Sequence, residues 1–495
     1  MQQALFPALC DDNHDTALIE DGRKFSYAEV NQRVNHCATG LLGASADLEE
    51  QRIAFFLPAS LDYVTVMHGV WRAGGIAVPL NVASAVAELE HYLGSAGASR
   101  LITTPDYHSD ELQALCDSLG IAVAMVDGTL AQAPGQLPEV ASTRRAMMLF
   151  TSGTTSKPKG VVHTHHSIAS QITCLIEAWA WTTGDIIPLF LPVHHVHGII
   201  NVLSCGLWAG ATVELFSKFD SQLISQRARD DTYTVFMAVP TIYVKLIQHF
   251  TTLDAAQATA TCQGFSRMRL NISGSAACPV PLFEQWRELT GQVLLERYGM
   301  TEIGMAISNP YHGERRAGCV GQPLPGVDAQ LFGEDGQVIG GEGEPGEIRI
   351  RGGNLFLEYW NNEAATRDAY DNGWFCTGDM AVVEDGYFRI MGRTSIDIIK
   401  SGGYKLSALE IEGALLEHEA IAEVAVIGVA DDTWGEAVAA LVVLKEGHNL
   451  DYGQLKSWCD GRLSGYKIPK HLKVLPSLPR NAMGKVIKPS LKSLL

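Results

Sequence analysis

Leu149-Phe-Thr-Ser-Gly-Thr-Thr-Ser-Lys-Pro-Lys-Gly160 sets four Ser/Thr hydroxyls between residues 151 and 155, around a glycine at 153 and ahead of lysines at 157 and 159. Such a loop can wrap a triphosphate. Glycine lets backbone N–H groups approach the oxygens, hydroxyls add donors, and lysine brings charge. It departs from the phosphate loop G-x-x-x-x-G-K-[ST], because Gly153 and Gly160 are wrongly spaced and no Lys-Ser/Thr pair follows. A Ser/Thr-rich surface turn is the alternative reading. The preceding Ala146-Met-Met-Leu-Phe150 reads as a buried strand ending at the loop, the place where α/β proteins hold phosphates.

On the N-terminal side, residues 24–145 alternate helical patterns with short apolar runs. Arg52–Leu57, Gly75–Pro79 and Leu101–Thr104 read as strands and Asp62–Arg72 as a helix, which predicts parallel α/β layers. On the other side, Val235–Val239, Leu270–Ser273 and Val293–Leu295 read as strands of a second α/β region. From about residue 316 Gly and Pro become dense, and Gly346-Glu-Ile-Arg-Ile-Arg351 alternates like an antiparallel strand. The last hundred or so residues carry strand-like Val424–Gly428 and Ala439–Leu444, with helix patterns over Ser407–Leu416 and Tyr452–Leu463.

A chain of 495 residues is too long for one core. Its formal net charge of −18 argues against nonspecific nucleic-acid binding, and no apolar run is long enough to span a bilayer. The N-terminal residues have no basic region before an apolar one and carry acids early, unlike a secretory signal or an Arg-rich transit peptide. Ten scattered cysteines without a C-x-x-C pair fit reduced thiols in a cytoplasm.

The loop at 151–160 resembles the signature of the adenylate-forming superfamily of acyl-CoA synthetases, peptide-synthetase adenylation domains and luciferases. Further segments match in the same order: Tyr298-Gly-Met-Thr-Glu302, Trp374-Phe-Cys-Thr-Gly-Asp379, Gly392-Arg393 with Lys400-Ser-Gly-Gly403, and Pro479-Arg-Asn-Ala-Met-Gly-Lys485. The resemblance implies an α/β fold. A large N-terminal AMP-binding domain of stacked α/β subdomains and a small β-barrel would cover residues 1–394. A small mobile α+β lid would cover 395–495. The family's hinge lies two residues after the arginine, usually at Asp or Lys; here that residue is Ser395.

The resemblance also assigns roles. Thr151, Ser152, Gly153, Thr154, Thr155 and Lys159 would hold the β- and γ-phosphates of ATP. Thr301 would contact the α-phosphate and Glu302 would bind Mg²⁺, a hard cation that prefers oxygen ligands. Gly274, Ser275, Ala276 and Glu296 would lie along the adenine, Tyr298 would stack on it, and Asp379 with Arg393 would meet the ribose. Lys485 would bridge the acid and the α-phosphate during adenylation; a lysine acetyltransferase acting on Lys485 would remove that charge. Ser401, Gly402 and Gly403 would shape a tunnel for the CoA thiol. Taken without the family, Thr301-Glu302 is a helix start, Asp379 a Gly-Asp turn and Lys485 a solvated tail lysine.

The identity of the acid turns on Arg297. An arginine next to the motif tyrosine is costly to bury unless an anion meets it, and a second carboxylate on the substrate supplies one. The alternative is a salt bridge to Glu296 or another acid. Leu295–Glu302, Ser273–Ala277 and Gly402-Gly-Tyr-Lys405 together resemble malonyl-CoA synthetases. His197, in Pro192-Val-His-His-Val-His-Gly198, would line the acyl channel and Met305 would wall it, although Met305 also fits an ordinary core position. The expected activity is an ATP- and Mg²⁺-dependent ligation of malonate, or methylmalonate, to coenzyme A. Rival readings are a ligase for another short or medium-chain acid, an adenylation module, a luciferase, and a noncatalytic nucleotide- or CoA-binding regulator.

Overall fold

The computed structural model describes residues 6–130, 133, 135–151, 158–394, 396–401, 404–431, 434–480 and 486–495. Ser152, Gly153, Thr154, Thr155, Ser395, Gly402, Gly403 and Lys485 lie outside these residues, as does the Lys405 side chain.

The apolar runs before residue 150 form a seven-stranded sheet. Its order is Glu358–Tyr359, Lys159–Thr164, Arg145–Thr151, Ile76–Pro79, Arg52–Phe56, Arg100–Thr103 and Ala122–Met125. The last five strands run parallel, and the helix Leu61–Arg72 connects two of them. That helix starts where Ser60 accepts the Tyr63 N–H, and nearly all of its side chains are buried. After residue 151 the chain returns antiparallel, pairing Lys159 with Thr151. The phosphate-loop segment therefore joins two strands rather than a strand and a helix.

In a second sheet Val235–Ala238, Leu270–Ser273 and Leu295–Met300 run parallel, followed by antiparallel Gly304–Ser308 and Gln322–Pro323. Here the structure corrects two sequence expectations. The third strand covers 295–300, not 293–295. Pairing with the neighbouring strand starts at Leu295, and the polar run after it is held by backbone bonds that hydropathy does not register. Thr301-Glu302 forms the turn of a hairpin and starts no helix. A third sheet, Arg23–Ser26, Thr16–Glu20, Thr212–Leu215 and Ile186–Leu189, was not legible in the periodicity.

The Gly/Pro-dense region makes an antiparallel sheet of Val327–Phe332, Gly346–Gly352, Trp374–Glu384, Tyr370–Asp371 and Tyr387–Arg393. Beyond it Tyr404–Ser407, Ile398–Ser401, Gly435–Leu444, Ile421–Asp431 and His471–Val474 form the last sheet, packed with the helices Ala408–Leu415 and Tyr452–Cys459. The second helix stops at Cys459 instead of Leu463, because Asp460 turns extended and Gly461 takes a positive φ of 77°. Residues after 398 have their own hydrophobic clusters, and a small group of Met380, Val382, Met391 and Ile398 connects them to the rest.

A buried ion cluster ties the two regions at the same place. Lys488 Nζ lies 2.6 Å from Asp397 Oδ1 and 2.7 Å from Glu412 Oε1. The second Asp397 oxygen accepts the Arg393 N–H at 3.0 Å. Replacing Lys488 by Met leaves two buried carboxylates facing each other without a cation. The expected loss is about 3–5 kcal/mol in urea unfolding, concentrated in the C-terminal region.

Candidate active site

The hairpin 295–308 carries six of the expected site residues: Glu296, Arg297, Tyr298, Thr301, Glu302 and Met305. The Tyr298 hydroxyl donates to Asp379 Oδ2 at 2.6 Å. Arg393 pairs with Asp379 across adjacent strands, its Nε 3.4 Å from Asp379 Oδ1. Tyr298, Asp379 and Arg393 thus form one group, a carboxylate steadied by a phenol and a guanidinium, whose oxygens are of the kind that accept from a diol.

Glu302 is buried, and burial raises its carboxyl above the usual range; the Tyr359 hydroxyl, Arg393 and Lys159 act in the opposite direction. The Tyr359 O–H donates to Glu302 Oε1 at 2.9 Å, and the Lys159 ammonium sits 4.7 Å from the centre of the Tyr359 ring. Tyr359 is a contributor that the sequence reading did not name. It lies on a two-residue edge strand paired with Val161, a placement no local motif announces.

Gly274, Ser275 and Ala276 follow the end of the strand Leu270–Ser273. A side chain at Gly274 would put Cβ 2.4 Å from Arg297 Cζ, so glycine is what lets the guanidinium lie against this turn. Ser275 holds a positive φ of 67°, uncommon for a residue with Cβ. Its hydroxyl accepts from Arg297 Nη2 at 3.3 Å and lies 3.0 Å from His197 Nδ1. With Ser275 donating to Nδ1, the imidazole carries its hydrogen on Nε2. Desolvation, then Arg297 and His195, drive the His197 pKa far down, so the ring is neutral.

Arg297 is 4% exposed, and burial alone pulls its pKa down to about 9. Its Nε and His197 Nε2 are buried without a hydrogen-bond partner. The alternative of an Arg297–Glu296 ion pair is overturned: successive strand residues face opposite sides, and the Glu296 carboxyl instead accepts the Gly318 N–H at 3.0 Å. Among the described residues Arg297 has no carboxylate partner. His197 opens a buried π-helix, His197–Ser204. Met305 is 2% exposed, belongs to the main core and covers Gly299, where a Cβ would fall 2.5 Å from its Cε.

Thr151 ends its strand opposite Lys159. Ser401 is buried at the end of the strand Ile398–Ser401, paired with Tyr404 and Gly435. The remaining phosphate-loop residues, Gly402, Gly403 and Lys485 fall outside the described residues. Flanking Lys485, Arg480 bridges to Val486 and the Ile487 N–H donates to Pro479 O.

Glu296 generates a pH prediction. Desolvation raises its carboxyl to about 8, against the N–H groups of Gly318 and Cys278 that lower it. The folded value lies above the unfolded one of about 4.3, so stability is fully present below pH 4 and is lost as pH rises toward 8. Glu296→Gln should remove that slope. Urea midpoints at pH 5.5 and 8.5 should show the variant gaining on the wild type with pH; parallel curves would contradict a buried protonated carboxyl.

Two family models match the chain: AMP-binding enzyme over residues 10–360, and AMP-binding enzyme C-terminal domain over 410–485. The mitochondrial malonate–CoA ligase ACSF3 of Mus musculus is 42% identical, the alignment covering 95% of this chain and 85% of that protein. A malonate–CoA ligase of Arabidopsis thaliana is 40% identical over 97% of this chain and 86% of its own. ATP-bound MatB from Rhodopseudomonas palustris superposes with a TM-score of 0.91 at 32% identity, covering all of both chains. With the motif order and these matches in agreement, the chain belongs to the AMP-binding enzyme family.

Proposed function

We propose that this chain ligates malonate to coenzyme A at the expense of ATP, through a malonyl-adenylate. The observation that carries the acid assignment is Arg297, a buried guanidinium with no carboxylate partner among the described residues. A buried charge of this kind is expensive unless a ligand compensates it. Malonate is small and doubly charged. One carboxylate would react while the other meets Arg297 and the Nε2–H of His197. The relatives named as malonate–CoA ligases support the same reading.

The chemistry follows from the groups present. A carboxylate is a poor electrophile, so it first attacks the α-phosphorus of ATP, and the bond to pyrophosphate breaks. The thiol of CoA then attacks the acyl carbon and AMP departs. The first step brings two anions together, which demands positive charge and fixed placement. Lys159 and Arg393 supply charge near the nucleotide group, and Asp379 holds the ribose. We assign Lys485 to the junction of acid and α-phosphate.

Mg²⁺ fits this donor set. It binds through one or two carboxylates plus substrate phosphates and waters, without an all-protein cage. Glu302, with one oxygen held by Tyr359, is a single oriented carboxylate of that kind. When bound, the ion would neutralise phosphate charge, while Tyr359 keeps Glu302 in place.

Pyrophosphate release measured across acetate, malonate, methylmalonate, succinate and butyrate tests the proposal, with malonate expected to lead. Arg297→Leu should lower kcat/KM for malonate by about a hundredfold to a few thousandfold, the consequence of about 3–5 kcal/mol for an unpaired buried carboxylate. Butyrate, which has no distal charge, should lose little; an unchanged malonate-to-butyrate ratio would remove Arg297 from acid recognition. Lys485→Ala should suppress pyrophosphate release but still convert supplied malonyl-adenylate to malonyl-CoA. Equal loss of both half-reactions would defeat that assignment.

A further inference from the structure

The turn between Leu295–Met300 and Gly304–Ser308 is held in an unusual way. Hairpin turns ordinarily lie at the surface with their carbonyls in water. Here three successive carbonyls each find a donor from outside the hairpin, two of them from the segment 354–356 and one from residue 163. Thr301 O lies 2.8 Å from His163 Nε2, Glu302 O accepts the Phe356 N–H at 2.8 Å, and Ile303 O accepts from Asn354 Nδ2 at 2.5 Å. Gln171 Nε2 adds a longer bond to Ile303 O, and only a glycine fits at 304, where a Cβ would fall 1.1 Å from that same atom.

His163 differs from the other donors in where it comes from. It sits on Lys159–Thr164, the strand that begins with the lysine of the phosphate loop. Its ring is 3% exposed, with Nδ1 3.3 Å from the Ser167 hydroxyl. A carbonyl oxygen can only accept, so the 2.8 Å contact to Thr301 O places the ring hydrogen on Nε2. Burial lowers the ring's pKa to about 4, so it donates this bond without adding charge beside Glu302. Behind it, Met147, Ser167, Gln171, Val196 and Ile200 line a void too narrow for a water molecule.

We propose that His163 is a positioning residue for the adenylation step. Through the Thr301 carbonyl it holds Thr301 and Glu302 at a fixed distance from Lys159 on its own strand, so that turn and phosphate loop act on one triphosphate. This inference rests on the ATP-dependent reading above, but not on which acid is used.

The test uses the full chain with whichever acid the wild type prefers, so failure of the malonate assignment and failure of this one remain separable. His163→Met and His163→Phe keep the volume and remove the donor. Each should lower kcat/KM for MgATP in pyrophosphate release by about tenfold to a hundredfold, the usual range for a buried acceptor left unsatisfied. The KM for the acid should stay within about twofold, and conversion of supplied acyl-adenylate to the thioester should be unchanged. His163→Gln, whose Nε2 reaches toward the same carbonyl, should recover most of the loss. Should the Phe variant fail to fold, the Met and Gln pair carries the comparison. Unchanged ATP parameters in His163→Met would overturn the proposal, as would equal losses for ATP, acid and the second half-reaction.

Discussion

The alternation of side chains over Leu295–Tyr298, ahead of the register shift at Gly299, is the constraint on which the site depends. It turns Glu296 toward the Gly318 N–H and Arg297 to the other side, against Gly274. Adjacent opposite charges therefore cannot neutralise each other. One side holds a carboxyl whose pKa burial raises to about 8; the other holds a buried guanidinium with no carboxylate partner among the described residues. The hairpin then places Tyr298, Thr301 and Glu302 within a few residues of that cation.

Electrostatics inside the site oppose those of the whole molecule. The chain carries a net charge of −18, yet Lys159, Arg393 and Arg297 gather around Asp379, Glu302 and the hairpin 295–308. Low dielectric and fixed geometry let a few cations outweigh a distant negative surface that salt screens. Neutral donors serve where another charge would interfere. His197 and His163 are both held uncharged by burial, and each has a serine hydroxyl beside Nδ1.

The same economy of polar contacts appears where the two regions meet. Asp397 accepts from the Arg393 backbone with one oxygen and from Lys488 with the other, and Arg393 in turn reaches Asp379. A path of bonded groups so connects the C-terminal segment around Lys488 to Asp379 and Tyr298. Buried ion pairs contribute little net stability but strongly disfavour other arrangements, because any rearrangement must strand a charge.

Motif order in the sequence was enough to name the chemistry. The loop at 151–160 and the segments around Tyr298, Asp379, Arg393 and Lys485 are short, local and in a fixed order, so no tertiary information was needed to read them. The parallel strands Arg52–Phe56, Ile76–Pro79 and Leu270–Ser273 were also legible, because fully buried strands are continuous apolar runs. The polar strand 295–300 was not, since backbone pairing rather than side-chain hydropathy makes it a strand. Nor could sequence distinguish an Arg297–Glu296 salt bridge from an unpaired arginine, or find Tyr359 and His163 beside Glu302 and Thr301. Those contacts join residues 57 and 138 positions apart. Only the folding of separate strands into neighbouring sheets decides which donors meet which acceptors, because partnership in a buried site is set by proximity in space.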